Sequence, residues 1–233
     1  MTSKEIFKAV LAEKVERYEL VISTIMNSKE DGTGLFAEEI ELLCIAYKNL
    51  VDKDRTAVQA MKNFKNSDGK IDSDELYQYY IEKLTKRAIT HCNAFLDILE
   101  KSLHDIDPEN SEHLIQRKKT IADYHRYICE LKKDSKGFSN TGKTDFHYKE
   151  LLKLAEERLE NLSTLYLTVC INYAVFQYDI KGEKQKALTF LNEKFERALN
   201  DLNNVKEENV KDIMQLMTYM DDNIKDWTKE LKE

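Results

Sequence analysis

Proline and glycine are scarce in this chain, and that scarcity restricts its possible folds more than any other feature. The 233 residues include one proline and six glycines, whereas average usage would supply roughly four times as many of the two together. Because these residues form tight turns and end regular elements, a chain with so few of them is expected to consist of long helices. A β-sandwich, a β-barrel or a dinucleotide-binding α/β fold needs more glycine-containing turns, so the sequence argues against all three.

The charge of the chain argues against binding to nucleic acid. The formal net charge is −7, with 34% charged and 42% hydrophobic residues, whereas binding to phosphate backbones depends on a basic surface. No N-terminal apolar stretch resembles a signal peptide, and no apolar run is long enough to span a bilayer. We therefore expect a cytoplasmic protein without a membrane partner.

Apolar residues recur at helical spacing between a few polar breaks, and this pattern predicts an all-α protein. The predicted helices lie near 3–16, 18–28, 36–64, 73–103, 111–132, 145–160, 164–179, 184–201 and 207–231. The helix at 164–179 is apolar on nearly every side, so we expect it to be central.

Cysteine and histidine occur in no pattern typical of a metal site or a nucleophilic enzyme. Four cysteines stand singly on helical patterns, which predicts reduced core thiols; they are Cys44, Cys92, Cys129 and Cys170. The sequence therefore predicts no catalytic residue, no metal and no cofactor.

Two asparagines interrupt apolar stripes, Asn172 in the central helix and Asn223 in the last one. A buried amide without a partner costs about 1–3 kcal/mol, so each needs a hydrogen-bonding group. The partner is either a neighbouring helix or the backbone of an extended peptide lying in a groove. Periodicity alone leaves both possibilities open.

Cationic side chains form a second candidate site. Lys48 and Arg55 are two helical turns apart and project from one face of the third predicted helix. Arg126 and Tyr127 follow on the fifth. Together they suit a phosphate, since arginine offers a planar fork, lysine a point charge and tyrosine a hydroxyl donor. Ordinary surface ion pairs are the alternative.

Four motifs resemble the 14-3-3 family in order and spacing. They are ERY at 16–18, ELLCIAYKN at 41–49, DYHRY at 123–127, and DN at 222–223 followed by Trp227. The similarity runs from about residue 3 to about 231. It implies one domain, 1–233, folded as a cup-shaped bundle of nine antiparallel helices, in which 1–103 contains the dimerisation region and 111–231 completes the ligand groove.

The resemblance also implies a function and a set of site residues. It implies a non-enzymatic adaptor that clamps phosphoserine or phosphothreonine segments of client proteins and regulates signalling, in the cytoplasm and also in the nucleus. The phosphate-binding positions match Lys48, Arg55, Arg126 and Tyr127. Asn172 and Asn223 match the amides that hold the ligand backbone, and further groove positions match Lys119, Ile171, Val175, Leu216 and Trp227.

The chain departs from the family pattern at two surfaces. Tyr219 and Asp226 stand in the groove wall where the family usually has leucine, so we expect weaker binding of apolar ligand flanks. At the dimer interface Leu20 replaces an acid that would face Lys83, and Arg87 replaces an acid that would face Arg17; Tyr80 belongs to the same interface. A homodimer or heterodimer with family members is therefore expected to be weakened, because like charges replace ion pairs.

A second hypothesis comes from the altered wall. It describes a helical scaffold that binds a constitutive, non-phosphorylated protein partner. Comparison of phosphorylated and unphosphorylated ligands separates the two hypotheses.

Overall fold

The computed structural model describes residues 3–29, 35–67, 74–107, 109–133, 141–202 and 210–232, and in these ranges the protein is all-α. Nine α-helices and no strand occur in them, which confirms the predicted fold class. The helices are α1 (Ser3–Lys14), α2 (Tyr18–Asn27), α3 (Ala37–Ser67), α4 (Asp74–Ser102), α5 (Ser111–Lys132), α6 (Gly142–Arg158), α7 (Thr164–Val175), α8 (Lys184–Asp201) and α9 (Val210–Glu230). Their contacts divide the chain into an N-terminal unit, Met1–His104, and a C-terminal unit, Asp105–Glu233.

The N-terminal unit is built from α1 to α4, with α3 packed along α4. Tyr47 of α3 stacks on Phe95 of α4, with ring centroids 4.8 Å apart. Nearby on the same two helices, the buried carboxylate of Asp54 accepts from both Nε and Nη2 of Arg87. An apolar contact and an ion pair therefore hold this helix pair together.

The turn between α1 and α2 contains a non-glycine residue in the left-handed region. Glu16 has a φ of 56°, where side chains other than glycine are uncommon. The backbone N–H of Arg17 donates to the carbonyl of Ala12 at 2.8 Å and closes the turn. The hydrogen bond compensates for the absence of a glycine at the helix end.

The C-terminal unit is arranged around α7, which packs against α6, α8 and α9 and more lightly against α5. Seven of its twelve residues are buried, which agrees with the apolar run in the sequence. The predicted single helix over 164–179 changes at Phe176 into a π-helical turn, Phe176–Ile180. The N–H of Lys181 reaches back five residues to the carbonyl of Phe176 at 3.1 Å, so one extra residue is accommodated in the turn.

The helix bounds agree well with the predicted ones. α5 and α8 match them, α6 begins three residues early at Gly142, and α3 continues past 64 to Ser67. The predicted start of the last helix at 207 lies outside the described residues. None of the four cysteines is in a disulfide, and Cys44 is half-buried whereas the other three are buried.

None of the helices in the described ranges combines the length and the apolar character needed to cross a lipid bilayer.

Candidate functional site

The carboxylate of Asp123 on α5 is the centre of a hydrogen-bonded network in the C-terminal unit. Its Oδ1 accepts from the hydroxyl of Tyr148 at 2.6 Å and from Nδ2 of Asn172 at 2.8 Å. Its Oδ2 accepts from Nζ of Lys119 at 2.9 Å. These contacts tie α5 to α6 and α7, so the side chains around Asp123 are held in place by three helices.

Arg126 lies one helical turn after Asp123 and only 14% of its side chain is exposed. Its Nε donates to the Tyr148 hydroxyl at 3.1 Å, and its guanidinium carbon lies 4.8 Å from the ring centroid of Tyr127. Its terminal nitrogens lie 4.0 Å from Asp123 Oδ1 and 3.8 Å from Glu130 Oε2. Both distances exceed hydrogen-bond range, so the guanidinium is oriented through Nε while its terminal N–H groups make no short bond to these carboxylates.

The surroundings of Arg126 keep it charged. Burial disfavours the charged form of the guanidinium and so lowers its pKa, whereas Tyr148, Asp123 and Tyr127 raise it. The net effect is a raised pKa of Arg126. The pKa of Tyr148 is raised as well, by burial and then by the charge of Asp123. The network therefore holds a permanent cation next to a neutral phenol.

Lys48 and Arg55 belong to α3 in the N-terminal unit. Lys48 is exposed, whereas only 19% of the Arg55 side chain is exposed and its Nη1 donates to Asp52 Oδ1 at 2.9 Å. One of the two predicted cations on this helix is therefore exposed to solvent, and the other is bound to a neighbouring carboxylate.

The two asparagines already have partners for their amide N–H groups. Asn172 donates to Asp123 on a neighbouring helix, whereas Asn223 donates to the carbonyl of Tyr219, one turn earlier in its own helix, at 2.7 Å. Each uses its amide nitrogen to bind the protein. The same amides keep a carbonyl oxygen that can accept from a ligand N–H.

The predicted apolar wall divides into buried and exposed members. Ile171 and Trp227 belong to the core of the C-terminal unit, where Trp227 stacks on Tyr178 with ring centroids 4.2 Å apart. Val175 and Leu216 are half-buried against this core, and 51% of Tyr219 is exposed. An open cleft of about 660 Å³ follows this side of α9; it is lined by Thr164, Asp212, Gln215, Leu216, Thr218, Tyr219 and Asp222.

The predicted dimer residues are solvent-exposed in the N-terminal unit: Arg17, Leu20, Tyr80, Lys83 and Arg87. Lys83 Nζ lies 5.6 Å from the ring centroid of Tyr79. Arg87 is bound to Asp54, and this hydrogen-bonded pairing raises its pKa. The positive charge expected at this position is therefore already paired within its own unit, which reduces the repulsion that the sequence predicts.

Two residues of the network had no role in the sequence-based prediction. Asp123 lies four residues after Lys119 and three before Arg126, which is the spacing of ion pairs on a helix and could have identified it. Tyr148 comes from α6, 25 positions from Asp123 in the chain. No local pattern connects residues that far apart.

Comparison with known proteins identifies relatives along nearly the whole chain. The family model for the 14-3-3 protein matches residues 8–228. The chain is 29% identical over 222 residues to 14-3-3 protein homolog 2 of Echinococcus granulosus, covering 95% of this chain and 89% of the relative. It is 28% identical over 233 residues to human 14-3-3 protein eta, covering 97% and 94%, and 27% identical over 231 residues to chicken 14-3-3 protein beta/alpha, covering 98% and 93%.

Proposed function

Because this chain belongs to the 14-3-3 family, we propose that it binds client segments containing phosphoserine or phosphothreonine and thereby regulates signalling. Proteins of this family are adaptors and scaffolds rather than enzymes, and they act through protein partners. Dependence on phosphorylation is the specific part of the proposal.

The terminal nitrogens of Arg126 are the main support. They are 3.8 and 4.0 Å from the nearest paired carboxylates, while Nε is held at 3.1 Å by Tyr148. A guanidinium oriented in this way presents N–H donors to an incoming anion without first breaking a short ion pair. Phosphate, with a charge of about −1.5 to −2, is the anion that benefits most from such donors.

We assign the phosphate to Lys48, Arg55, Arg126 and Tyr127, and the backbone of the bound segment to Asn172 and Asn223. Lys119, Val175, Leu216, Tyr219 and Asp226 complete the groove, with Ile171 and Trp227 supporting it from the core. Charge-assisted hydrogen bonds contribute about 1.5–3 kcal/mol each. Loss of three of them on dephosphorylation would lower affinity by roughly a thousandfold or more.

Dimerisation through the N-terminal unit belongs to the same proposal. Phe7 and Leu11 of α1 and Val15 in the turn after it recur every fourth residue, with 62%, 50% and 65% of their surface exposed. An apolar stripe of this kind is typical of a surface that a partner covers. A dimer would let one adaptor hold two phosphorylated segments or bridge two clients.

We also propose that residues 1–233 act as a single functional domain. A second part of this proposal is that the protein acts in the cytoplasm and also in the nucleus. The family match over residues 8–228 supports the first part, because it includes nearly all of both units.

Fluorescence anisotropy with matched peptides tests the proposal. Each peptide is titrated with the protein in its phosphorylated and unphosphorylated forms, at one ionic strength. We expect measurable binding of the phosphorylated form alone. Equal affinities would overturn the proposal and favour a scaffold with a non-phosphorylated partner.

A further inference from the structure

The cleft beside α9 has an unusual lining for a surface that binds protein segments. Asp212 and Asp222 line it together with the half-buried Leu216 and the exposed ring of Tyr219. Asp226 is exposed one turn after Asp222 on the same side of the helix. Carboxylates therefore lie on both sides of the aromatic ring along one helix face, while the opposite face, with Met217 and Met220, is buried in the core.

The two carboxylates that line this cleft and that of Asp226 beside it are not neutralised within the described part of the C-terminal unit. Asp212, Asp222 and Asp226 form no ion pair with another described residue, whereas the adjacent Asp221 binds Lys225 Nζ at 2.5 Å. The pKa of Lys225 is raised by this hydrogen bond and then by the charges of Asp221 and Asp222. Lys225 is thus bound to Asp221, which does not line the cleft.

This lining favours a cationic side chain over an apolar one. An apolar side chain would remove water from the carboxylates without replacing their hydrogen bonds, which is unfavourable. A lysine or arginine would pair with the carboxylates, and its cationic group would lie over the face of Tyr219. Arginine fits best, because its planar guanidinium stacks on a ring and forms forked bonds to a carboxylate.

We propose that this cleft binds a lysine or arginine side chain of the client, so that preferred clients carry a basic residue after the phosphorylated one. The inference rests on the proposed function, because it concerns the same groove. The client would then carry opposite charges at two places: a phosphate facing the cations and a base facing α9.

The test uses a series of labelled phosphopeptides with one phosphoserine. Arginine, leucine or glutamate is placed at each successive position after the phosphoserine, and affinities are measured by anisotropy. At the position that reaches the cleft, we expect the arginine peptide to bind about fivefold more tightly than the leucine peptide at low salt. The glutamate peptide should bind most weakly, and added salt should reduce the differences.

Variants of α9 connect the preference to the cleft. Asp222→Asn and Asp226→Asn should each reduce the arginine preference, and Asp226→Leu should tighten binding of the leucine peptide. Asp221→Asn is the matched control: it removes the same charge from another side of α9, where the carboxylate is bound to Lys225, and should leave the preference unchanged.

The two proposals fail in different ways. Equal binding of arginine and leucine peptides at every position, with binding still dependent on phosphate, would overturn the basic preference alone. The basic preference would also be overturned if Asp221→Asn abolished it as strongly as Asp222→Asn does. The net charge of the protein, and not the cleft, would then be responsible for it. Loss of phosphate dependence throughout the series would overturn the proposed function and the inference together.

Discussion

The carboxylate of Asp123 accepts a hydrogen bond from the phenolic hydroxyl of Tyr148 at 2.6 Å. The oxygen of that same phenol accepts a hydrogen bond from Nε of Arg126 at 3.1 Å. Because the hydroxyl donates to one partner and accepts from the other, it fixes the side of the guanidinium that faces the protein interior. The position of Arg126 therefore depends on Tyr148, an uncharged residue of α6.

Replacement of Tyr148 by phenylalanine should lower both stability and ligand affinity. The variant leaves Nε of a largely buried arginine without its partner, which we expect to cost about 1–3 kcal/mol in the free energy of unfolding. Phosphopeptide affinity should fall about three- to tenfold because Arg126 loses its fixed orientation. Urea unfolding and anisotropy measure the two effects.

The control for this variant is Tyr173→Phe. Tyr173 is also buried, with 5% of its surface exposed, and its hydroxyl contacts Asp145 at 3.3 Å rather than Arg126. The Tyr173→Phe variant should lose some stability and retain its affinity for the phosphopeptide. An unchanged affinity in Tyr148→Phe would show that the phenol does not position the arginine for binding.

Charge reversal of Lys48 should abolish phosphopeptide binding without unfolding the protein. Lys48 is exposed on α3, so Lys48→Glu should leave helicity and melting temperature nearly unchanged. Affinity should fall by at least about 100-fold, because an attractive contact to the phosphate becomes repulsive. Lys53→Glu, at another exposed position of the same helix, should bind as the unmodified protein does. Retained binding in Lys48→Glu would make the phosphate assignment wrong.

The dimer is expected to dissociate more readily than is usual for the family. Leu20 provides no acid for Lys83, and Arg87, although its charge is paired with Asp54, provides no acid for Arg17. Leu20→Glu should strengthen dimerisation by restoring an acid at this position, whereas the uncharged Leu20→Gln should not. Sedimentation velocity at nanomolar concentrations measures the change. An undissociated dimer of the unmodified protein at those concentrations would contradict the prediction.

Acid should destabilise the protein through His125. Burial, then Lys143 and His147, lowers the pKa of His125 from 6.5 to about 3, and its ring stacks on that of His147. Below about pH 6.5 the unfolded chain therefore takes up a proton that the folded chain does not. As the pH is lowered from about 6.5 to about 3, the free energy of unfolding decreases by up to about 1.4 kcal/mol per pH unit. Above about pH 6.5 His125 is neutral in both states, so none of this stability is lost.

Urea unfolding at about pH 7 and about pH 5 checks this pH dependence. His125→Gln cannot take up the proton, so the difference in unfolding free energy between the two conditions should shrink. The exposed His104 offers a control, since His104→Gln should leave the difference as it is. A His125→Gln variant with the full acid sensitivity would show that another group is responsible.

Helix positions were predictable because their causes are local. α5 occupies 111–132 in the sequence-based prediction and in the structure. Apolar spacing and the cap at Asn110, whose side chain accepts from the N–H of His113 at 3.2 Å, both lie within a few residues of its ends. The π-helical turn at Phe176 was missed because the same apolar pattern suits either helical form.

The sequence by itself determined that the chain is helical, where its helices lie and which family it resembles, since spacing, capping and motif order are properties of neighbouring residues. Only the tertiary structure decided which charges are already paired. Arg87 is bound by Asp54 from 33 positions away, whereas Arg126 is held at Nε by Tyr148 from 22 positions away and its terminal nitrogens remain beyond hydrogen-bond distance of Asp123 and Glu130. The physical reason is that an ion pair depends on distance and burial in the folded chain, and both arise when helices far apart in sequence pack together.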